Sequence, residues 1–299
     1  MRQGIIWIVG ASLLFGVMPT ANKFVMLSGV SAECLTFYIQ SMVCVMSLVI
    51  ARKKRCPIRI KSALAARLLL VGSLGMGATS FLVSSACMYI PVGLATVLHF
   101  LYPTLVSVAM VLFFGQKLSG YKGMAMVCSV FGMLLIANLN GAEKTGWVGI
   151  LLALASSLTY SFYMISNEKG EINQLPLIVK LVYASMGSAL LFGVLSVGKG
   201  SLALPGTWLA GLVLAGVGSL GSLGAFYLIT AGIQRIGASA ASFVNMLEPV
   251  TSVVVSALAY REFPGPVTWM GIVLVLSSVF LVAVDGRRAA PHEGEEKAR

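Results

Sequence analysis

Glu248 raises the clearest chemical question in this sequence, because it is the only acidic residue expected well inside an apolar segment. An ionised carboxylate at membrane depth is costly unless it is paired or hydrated, so such groups usually face a cavity. There it could bind a proton or the ammonium group of a substrate. The alternative is structural: the carboxyl could accept hydrogen bonds from a neighbouring helix end and hold the helices together. The residue type leaves both interpretations open.

Two prolines draw attention to equivalent polar residues in the two halves of the chain. Pro103 and Pro249 each remove a backbone hydrogen bond and push away the carbonyl four residues earlier, that of His99 or Asn245. Freed carbonyls in a membrane helix are tolerated beside protein or a water-filled cavity. We therefore expect both prolines to kink their helices next to such a cavity.

Helical spacing adds a neighbour to each of these polar groups. His99 and Tyr102 share one helix face, as Asn245 and Glu248 share another, so symmetry would place His99 against Asn245 and Tyr102 against Glu248. We predict that these four residues bind substrate, although a lone membrane histidine is more often structural. The predicted substrate site is completed by three weaker candidates, which could instead serve packing or interhelical hydrogen bonding: Gln40, Tyr160 and Tyr163.

The elements that must position these residues are membrane helices. Of the 299 residues, 58% are apolar and 10% are charged, against about 25% charged in soluble domains. This composition excludes a soluble enzyme, a nucleic-acid-binding domain and a disulfide-stapled secreted domain. A bilayer core needs about 20 apolar residues per helix. Ten segments meet this requirement: 4–26, 33–51, 68–88, 91–114, 120–139, 146–166, 175–197, 207–233, 237–260 and 266–284.

Charge placement predicts the orientation of these spans. Most Lys and Arg residues fall in connections on the side of the N-terminus, whereas Lys144, Lys199 and Arg261 fall on the other side. By the positive-inside rule, both termini are cytoplasmic in a multi-pass protein of the cytoplasmic membrane. This distribution accounts for the net charge of +11 without a nucleic-acid partner. The five cysteines show no metal-binding spacing, so we predict no metal or cofactor.

An internal repeat divides the chain into two halves. The run Gly-Ser-Leu-Gly at 72–75 returns at 218–221, and in the same register Pro103 meets Pro249. Each half holds five spans, and because five is odd, the second half enters the membrane in the opposite direction. We predict an all-α integral membrane protein of ten transmembrane helices in two inverted five-helix repeats. The predicted units are a first repeat, a second repeat and a disordered cytoplasmic tail: 4–139, 146–284 and 285–299.

These motifs resemble those of the EamA-type ten-helix transporters of the drug/metabolite transporter superfamily. The resemblance is carried by four groups of residues: Phe15-Gly16 with Lys23, Ile90 to Ala95 leading into Tyr102-Pro103, Ile236 to Ser239, and Leu247 to Pro249. The sequence departs from the family at Gln116, where the family often has Glu, and at Gln40, where many members have Arg. The resemblance implies two five-helix bundles around a central cavity, and export or exchange of small metabolites, often amino acids.

Together these features predict a secondary transporter that works by alternating access, with amino acids or related compounds as first choice, export as the direction, and proton coupling through Glu248. Multidrug efflux and flipping of a lipid-linked metabolite are alternatives within the same fold, and a non-transporting receptor or scaffold is another. An enzyme is not expected, because the sequence has no nucleophile, base and oxyanion constellation for a hydrolase. The expected partners are a small-molecule substrate and the lipid bilayer; a monomer suffices and a dimer stays open.

Overall fold

The computed structural model describes residues 2–90, 95, 98–116, 118–137, 146–260 and 265–296, and in these residues the chain is helical with no β-strand. The α-helices are α1 Arg2–Leu27, α2 Ala32–Lys53, α3 Ser62–Leu70, α4 Ala78–Ala86, α5 Tyr102–Phe114, α6 Gly120–Ala137, α7 Trp147–Glu168, α8 Gly170–Gln174, α9 Leu177–Gly198, α10 Trp208–Val213, α11 Ser222–Val244, α12 Leu247–Tyr260 and α13 Pro266–Glu296. A first π-helical segment, Val71–Gly77, joins α3 to α4, and a second, Leu214–Gly221, joins α10 to α11.

Most of these helices overlap the predicted membrane spans. Six helical stretches among the described residues are long and apolar enough to cross a membrane, and three shorter apolar helices accompany them. Residues 91–94, at the start of the predicted fourth span, lie outside the described residues. The last helix, α13, continues to Glu296, through a segment that we expected to be disordered. The all-α membrane fold is confirmed.

Polar side chains cap the N-termini of some helices, at the connections between membrane spans. The Ser31 hydroxyl accepts a hydrogen bond from the Cys34 backbone N–H at the start of α2, at 3.3 Å. At the start of α10, the Thr207 hydroxyl accepts one from the Ala210 N–H, at 3.2 Å. Each cap satisfies a backbone donor that has no partner within the helix. Short polar connections therefore suffice to end one span and begin the next.

The ninth predicted span is not one continuous helix. Gly237, with φ 79° and ψ 161°, breaks the helical path within α11 and separates the eighth span from the ninth. A second interruption lies at Asn245 and Met246, between α11 and α12. Pro249 is consequently the third residue of α12, and in the fourth span Pro103 is the second residue of α5.

These positions correct the expectation of kinks inside continuous helices. A proline in the first turn of a helix fits well, because the N–H that it lacks would have no partner there. The carbonyl of Asn245, which we expected to be left free, accepts a hydrogen bond from the Glu248 N–H at 2.9 Å. Each proline therefore begins a new helix after a break, which is the discontinuous geometry typical of transporter binding sites.

The helices pack in a pattern that exchanges the two halves of the chain. Helix α1 packs against α11 and α12, while its counterpart in the second half, α7, packs against α4 and α5. Helix α2 pairs with its own counterpart α9, and α6 pairs with α13. Each of these contacts between a helix of the first repeat and one of the second thus has an equivalent contact between their counterparts, as a two-fold relation between the repeats requires. Because each repeat holds five spans, this relation reverses the chain direction.

Close helix contacts depend on glycines in the first π-helical segment. A Cβ added at Gly72 would overlap the backbone of Ala184 in α9, and one added at Gly187 would overlap the backbone of Leu69. Small residues of this kind let membrane helices approach backbone to backbone. These contacts fix how α9 lies on the third span, and π-helical turns are frequent near functional sites.

The outer surface of the bundle is strongly apolar. Large side chains such as Leu112, Phe113, Val194 and Trp208 are each more than 70% exposed. Such exposure would be unfavourable in water over so many helices, whereas lipid tails solvate these groups. The protein is a multi-pass membrane protein, and many polar side chains of its spans are buried inside the bundle.

Candidate functional site

Asn245 lies at the centre of a polar network that joins the two repeats. Its Nδ2 donates hydrogen bonds to the Tyr102 hydroxyl at 2.9 Å and to Oε2 of Glu248 at 3.1 Å. Its Oδ1 accepts one from the Ser12 hydroxyl at 3.0 Å, and the Tyr102 hydroxyl donates to the Ser242 carbonyl at 3.4 Å. The side chains of Tyr102 and Asn245 are fully buried. The network places Glu248 beside Tyr102, as symmetry predicted, with the Asn245 amide between them.

His99 does not take the position that we expected. It was predicted to lie against Asn245, but its Nδ1 lies 3.0 Å from the Ser156 hydroxyl in α7. Its ring packs against Tyr102 and Tyr160, with centroids 5.4 Å and 5.5 Å away. The two residues still have equivalent surroundings, because His99 and Asn245 each contact a serine on the first helix of the opposite repeat. The prediction of facing partners failed because each residue turns toward that helix instead.

Aromatic rings continue from this network through the interior. Tyr160 meets Tyr102 edge to face at 4.6 Å and stacks on Tyr163 with an interplanar angle of 7°. Tyr163 then contacts Phe226, and Phe226 contacts Phe15. We call the set of His99, Tyr102, Tyr160, Tyr163, Phe226 and Phe15 the aromatic cluster. It borders the Glu248 network with flat apolar faces and a few hydroxyl groups.

Helix α7 presents its part of the site through simple helical spacing. Ser156, Tyr160, Tyr163 and Asn167 recur at intervals of four, three and four residues, and all four are buried. Residues on the opposite face, such as Leu158, are exposed. A single amphipathic helix therefore lines the interior with polar and aromatic groups while its other face meets lipid.

Gln40 is a predicted site residue that the structure does not join to the others. It lies on α2, which packs mainly along α9. Its side chain is buried, and its Oε1 has no hydrogen-bond partner among the described residues. Participants that the sequence analysis did not name as site residues include Ser12, Ser156, Phe15 and Phe226. The offset of 146 residues between the repeats does not pair the two serines, because it places Ser12 opposite Leu158 and Ser156 opposite Gly10.

Glu248 forms no ion pair with any side chain that the structure describes, a set that does not include the side chain of Lys23. The ion pairs found among the described residues are Lys169 with Glu168 and Lys199 with Glu33, both at helix ends. The Glu248 side chain is partly exposed, while the amide that binds it is buried. A carboxylate held by one amide and no cation retains free acceptor positions. The arrangement can therefore accept a proton or a small cationic group beside the aromatic rings.

Comparison with known proteins gives a consistent result for both halves. The model of the EamA-like transporter family matches residues 2–138 and 147–284. The "Uncharacterized transporter sll1319" of Synechocystis is 24% identical over 71% of this chain and 64% of its own length. The "S-adenosylmethionine uptake transporter" of Rickettsia conorii is 24% identical over 69% of this chain and 68% of its own. The matches thus span about two thirds of these relatives.

The fold itself recurs in solved structures. One crystal structure superposes with a TM-score of 0.79, at 17% identity, over 96% of this chain and 99% of the other. At that identity the likeness concerns the fold alone. It shows that the arrangement described above is an established architecture.

Proposed function

The chain belongs to the EamA-like transporter family, and on that premise we propose that it is a secondary transporter of small amine-bearing metabolites, with amino acids as first choice. The observation that carries the proposal is the Glu248 carboxylate, which accepts a hydrogen bond from the Asn245 amide and forms no ion pair with a cationic side chain that the structure describes. The same amide also donates to the Tyr102 hydroxyl of the other repeat. A substrate ammonium supplies the missing positive charge. The adjoining aromatic cluster accommodates the apolar part of the substrate.

Export follows if Glu248 also carries the coupling proton. One carboxylate can bind either a proton or an ammonium group, because once it is protonated it has no negative charge left to pair with the ammonium. A proton that reaches Glu248 from outside would then displace the amine from the carboxylate. An amine that reaches Glu248 from the cytoplasm would displace the proton. This competition produces exchange, so an inward proton gradient drives the amine outward. The relation also explains why an unpaired acid is retained in a membrane interior.

Alternating access is supported by the broken helices beside the site. Helix ends at Asn245 and at Leu101 allow the segments on either side to tilt separately, whereas a continuous helix would have to bend. The two-fold relation between the repeats supplies a second, equivalent arrangement that opens to the other side. We place both termini in the cytoplasm and the protein in the cytoplasmic membrane, as the distribution of Lys and Arg indicates.

The test uses the purified full chain in proteoliposomes loaded with a panel of amino acids. We expect efflux that accelerates when the outside is made acidic, and we expect Glu248→Gln to abolish this acceleration. Gln keeps the size and the hydrogen bond with Asn245 but cannot be charged. Glu171→Gln, a change in the short helix α8, is the matched control and should behave as the wild type. Efflux by Glu248→Gln that responds normally to the pH gradient would refute the coupling role.

A second candidate is efflux of lipophilic organic cations. The aromatic cluster favours it, because aromatic faces attract quaternary and aromatic cations. The same proteoliposomes distinguish the two substrates. Exchange of tetraphenylphosphonium for protons, with no effect of amino acids, would replace the amino-acid proposal by this one.

A further inference from the structure

Lys180 is a buried cation outside the site described above. It is the fourth residue of α9, its side chain is 2% exposed, and its Nζ has no hydrogen-bond partner in the described part of the chain. A lysine so near a helix end usually extends its stem and places the ammonium in water. Here the ammonium is held inside instead. An unpaired buried charge is costly, so a ligand that neutralises it would be bound favourably.

The surroundings of Lys180 hold it in place. Lys180, Ala184 and Gly187 share one face of α9, and the latter two make the backbone contacts with Gly72 and Leu69. Because these contacts join backbone to backbone, the face of α9 that carries Lys180 cannot turn toward the surface without breaking them. The position of the ammonium is therefore determined by packing.

The same π-helical segment connects Lys180 with the aromatic cluster. Gly72 meets the α9 face of Lys180, and Gly75, three residues later, meets the backbone and Cβ of Tyr163. From Tyr160 the inward face of α7 runs through Tyr163 toward the end of the helix at Glu168, about 12 Å further along. Lys180 thus lies near the start of α9, at the end of the bundle that we place at the cytoplasm, on a helix face that the π-helical segment links to the aromatic cluster.

We propose that Lys180 Nζ binds the carboxylate of the transported substrate near the cytoplasmic end of the bundle, before the amine reaches Glu248. A carboxylate fits better than a phosphate, because Lys180 is the one buried Lys or Arg among the side chains whose burial the structure describes, and it balances a single negative charge. The substrate class is therefore a zwitterion that carries both an ammonium and a carboxylate. The inference that the substrate carries an ammonium group rests on the proposed function, whereas the inference that it carries a carboxylate does not.

The experiment compares Lys180→Met with Lys199→Met, which removes the same charge from the exposed end of the same helix. The probes are two pairs that differ by one carboxylate: leucine with isopentylamine, and phenylalanine with phenethylamine. We expect Lys180→Met to weaken binding of the amino acids about 10- to 100-fold, the range for a hydrogen bond to a charged group. Binding of the amines should be unchanged, and Lys199→Met should match the wild type for all four probes. Equal losses for amino acid and amine, or no loss, would overturn the proposal.

A second measurement separates this proposal from the proposed function. The thermal midpoint of the wild type is measured in sodium propionate and in sodium chloride at equal ionic strength. We expect propionate to raise the midpoint of the wild type and of Lys199→Met, but not that of Lys180→Met. If no amine binds while propionate still shows this pattern, the proposed amine substrate fails and the Lys180 site stands. If propionate does not raise the thermal midpoint of the wild type, the Lys180 site fails. This outcome is read from the wild type alone, so it does not depend on whether a variant folds.

Discussion

Replacement of Asn245 by Ala tests whether its network holds the two repeats together. The backbone of Asn245, at φ −67° and ψ −11°, is one that Ala adopts freely, so the substitution removes side-chain contacts alone. Three hydrogen bonds are lost, to Ser12, Tyr102 and Glu248. At about 1 kcal/mol each the loss is about 3 kcal/mol, and at the lower average of about 0.6 kcal/mol for membrane helices it is about 2 kcal/mol.

The assay is unfolding of the purified protein in mixed micelles by added sodium dodecyl sulfate. We expect Asn245→Ala to lower the free energy of unfolding by about 2–3 kcal/mol. The control is Ser277→Ala, which removes one exposed hydroxyl bonded to the Val273 carbonyl and should cost less than about 0.5 kcal/mol. A loss for Asn245→Ala no larger than that of the control would refute the reasoning.

A double-mutant cycle isolates one bond of the network. The Ser12 hydroxyl has one proton, which it donates either to Asn245 Oδ1 across the two repeats or to the Ile8 carbonyl. The double variant Ser12→Ala with Asn245→Ala should therefore lose less stability than the two single variants together, by about 0.6–1 kcal/mol. Strictly additive losses would mean that the two side chains do not interact in the folded protein.

Further predictions use the same unfolding assay. Gly72→Ala should destabilise by about 1–3 kcal/mol because its Cβ overlaps the Ala184 backbone; a loss below about 0.5 kcal/mol would contradict the close contact. Gly211→Ala, at a helical glycine with no neighbour within 4 Å, should stabilise by about 0.8 kcal/mol and serves as the control of opposite sign. Gly237→Ala should cost about 1–3 kcal/mol, since φ 79° with ψ 161° suits glycine alone; a stabilisation like that at Gly211 would refute this backbone argument. Glu168→Gln should cost about 0.3–1 kcal/mol, because the carboxylate binds a backbone N–H at the start of the segment after Gly237; no change would exclude that role.

The sequence predicted the relative placement of two residues of the candidate site. The register of the repeat paired Tyr102 with Glu248, and the structure places them on either side of the Asn245 amide. Their role in substrate binding stays a prediction. The partner of His99 could not be predicted, because symmetry relates His99 to Asn245 without saying which way either side chain turns. Contacts between helices decide that, and here they direct both residues to serines on the first helices.

Lys180 is a second residue whose surroundings could not be predicted from the sequence. Near a helix end in the sequence, it resembles the lysines that reach the membrane surface. Its burial depends on how α9 is rotated about its axis, and that rotation depends on close contacts with Gly72 and Leu69. Hydropathy along one helix contains no information on such a rotation.

The amino-acid sequence alone determined the class of this protein, its helical spans and its repeat. Lipid offers no hydrogen bonds to the backbone, so a long apolar run has to form a helix, and the pattern is visible without a structure. Tertiary structure decided where those helices break and which polar side chains meet. Gly237, Asn245 and Lys180 acquire their conformations and partners from neighbouring helices, because in a uniformly apolar solvent only close packing and interhelical hydrogen bonds distinguish one face of a helix from another.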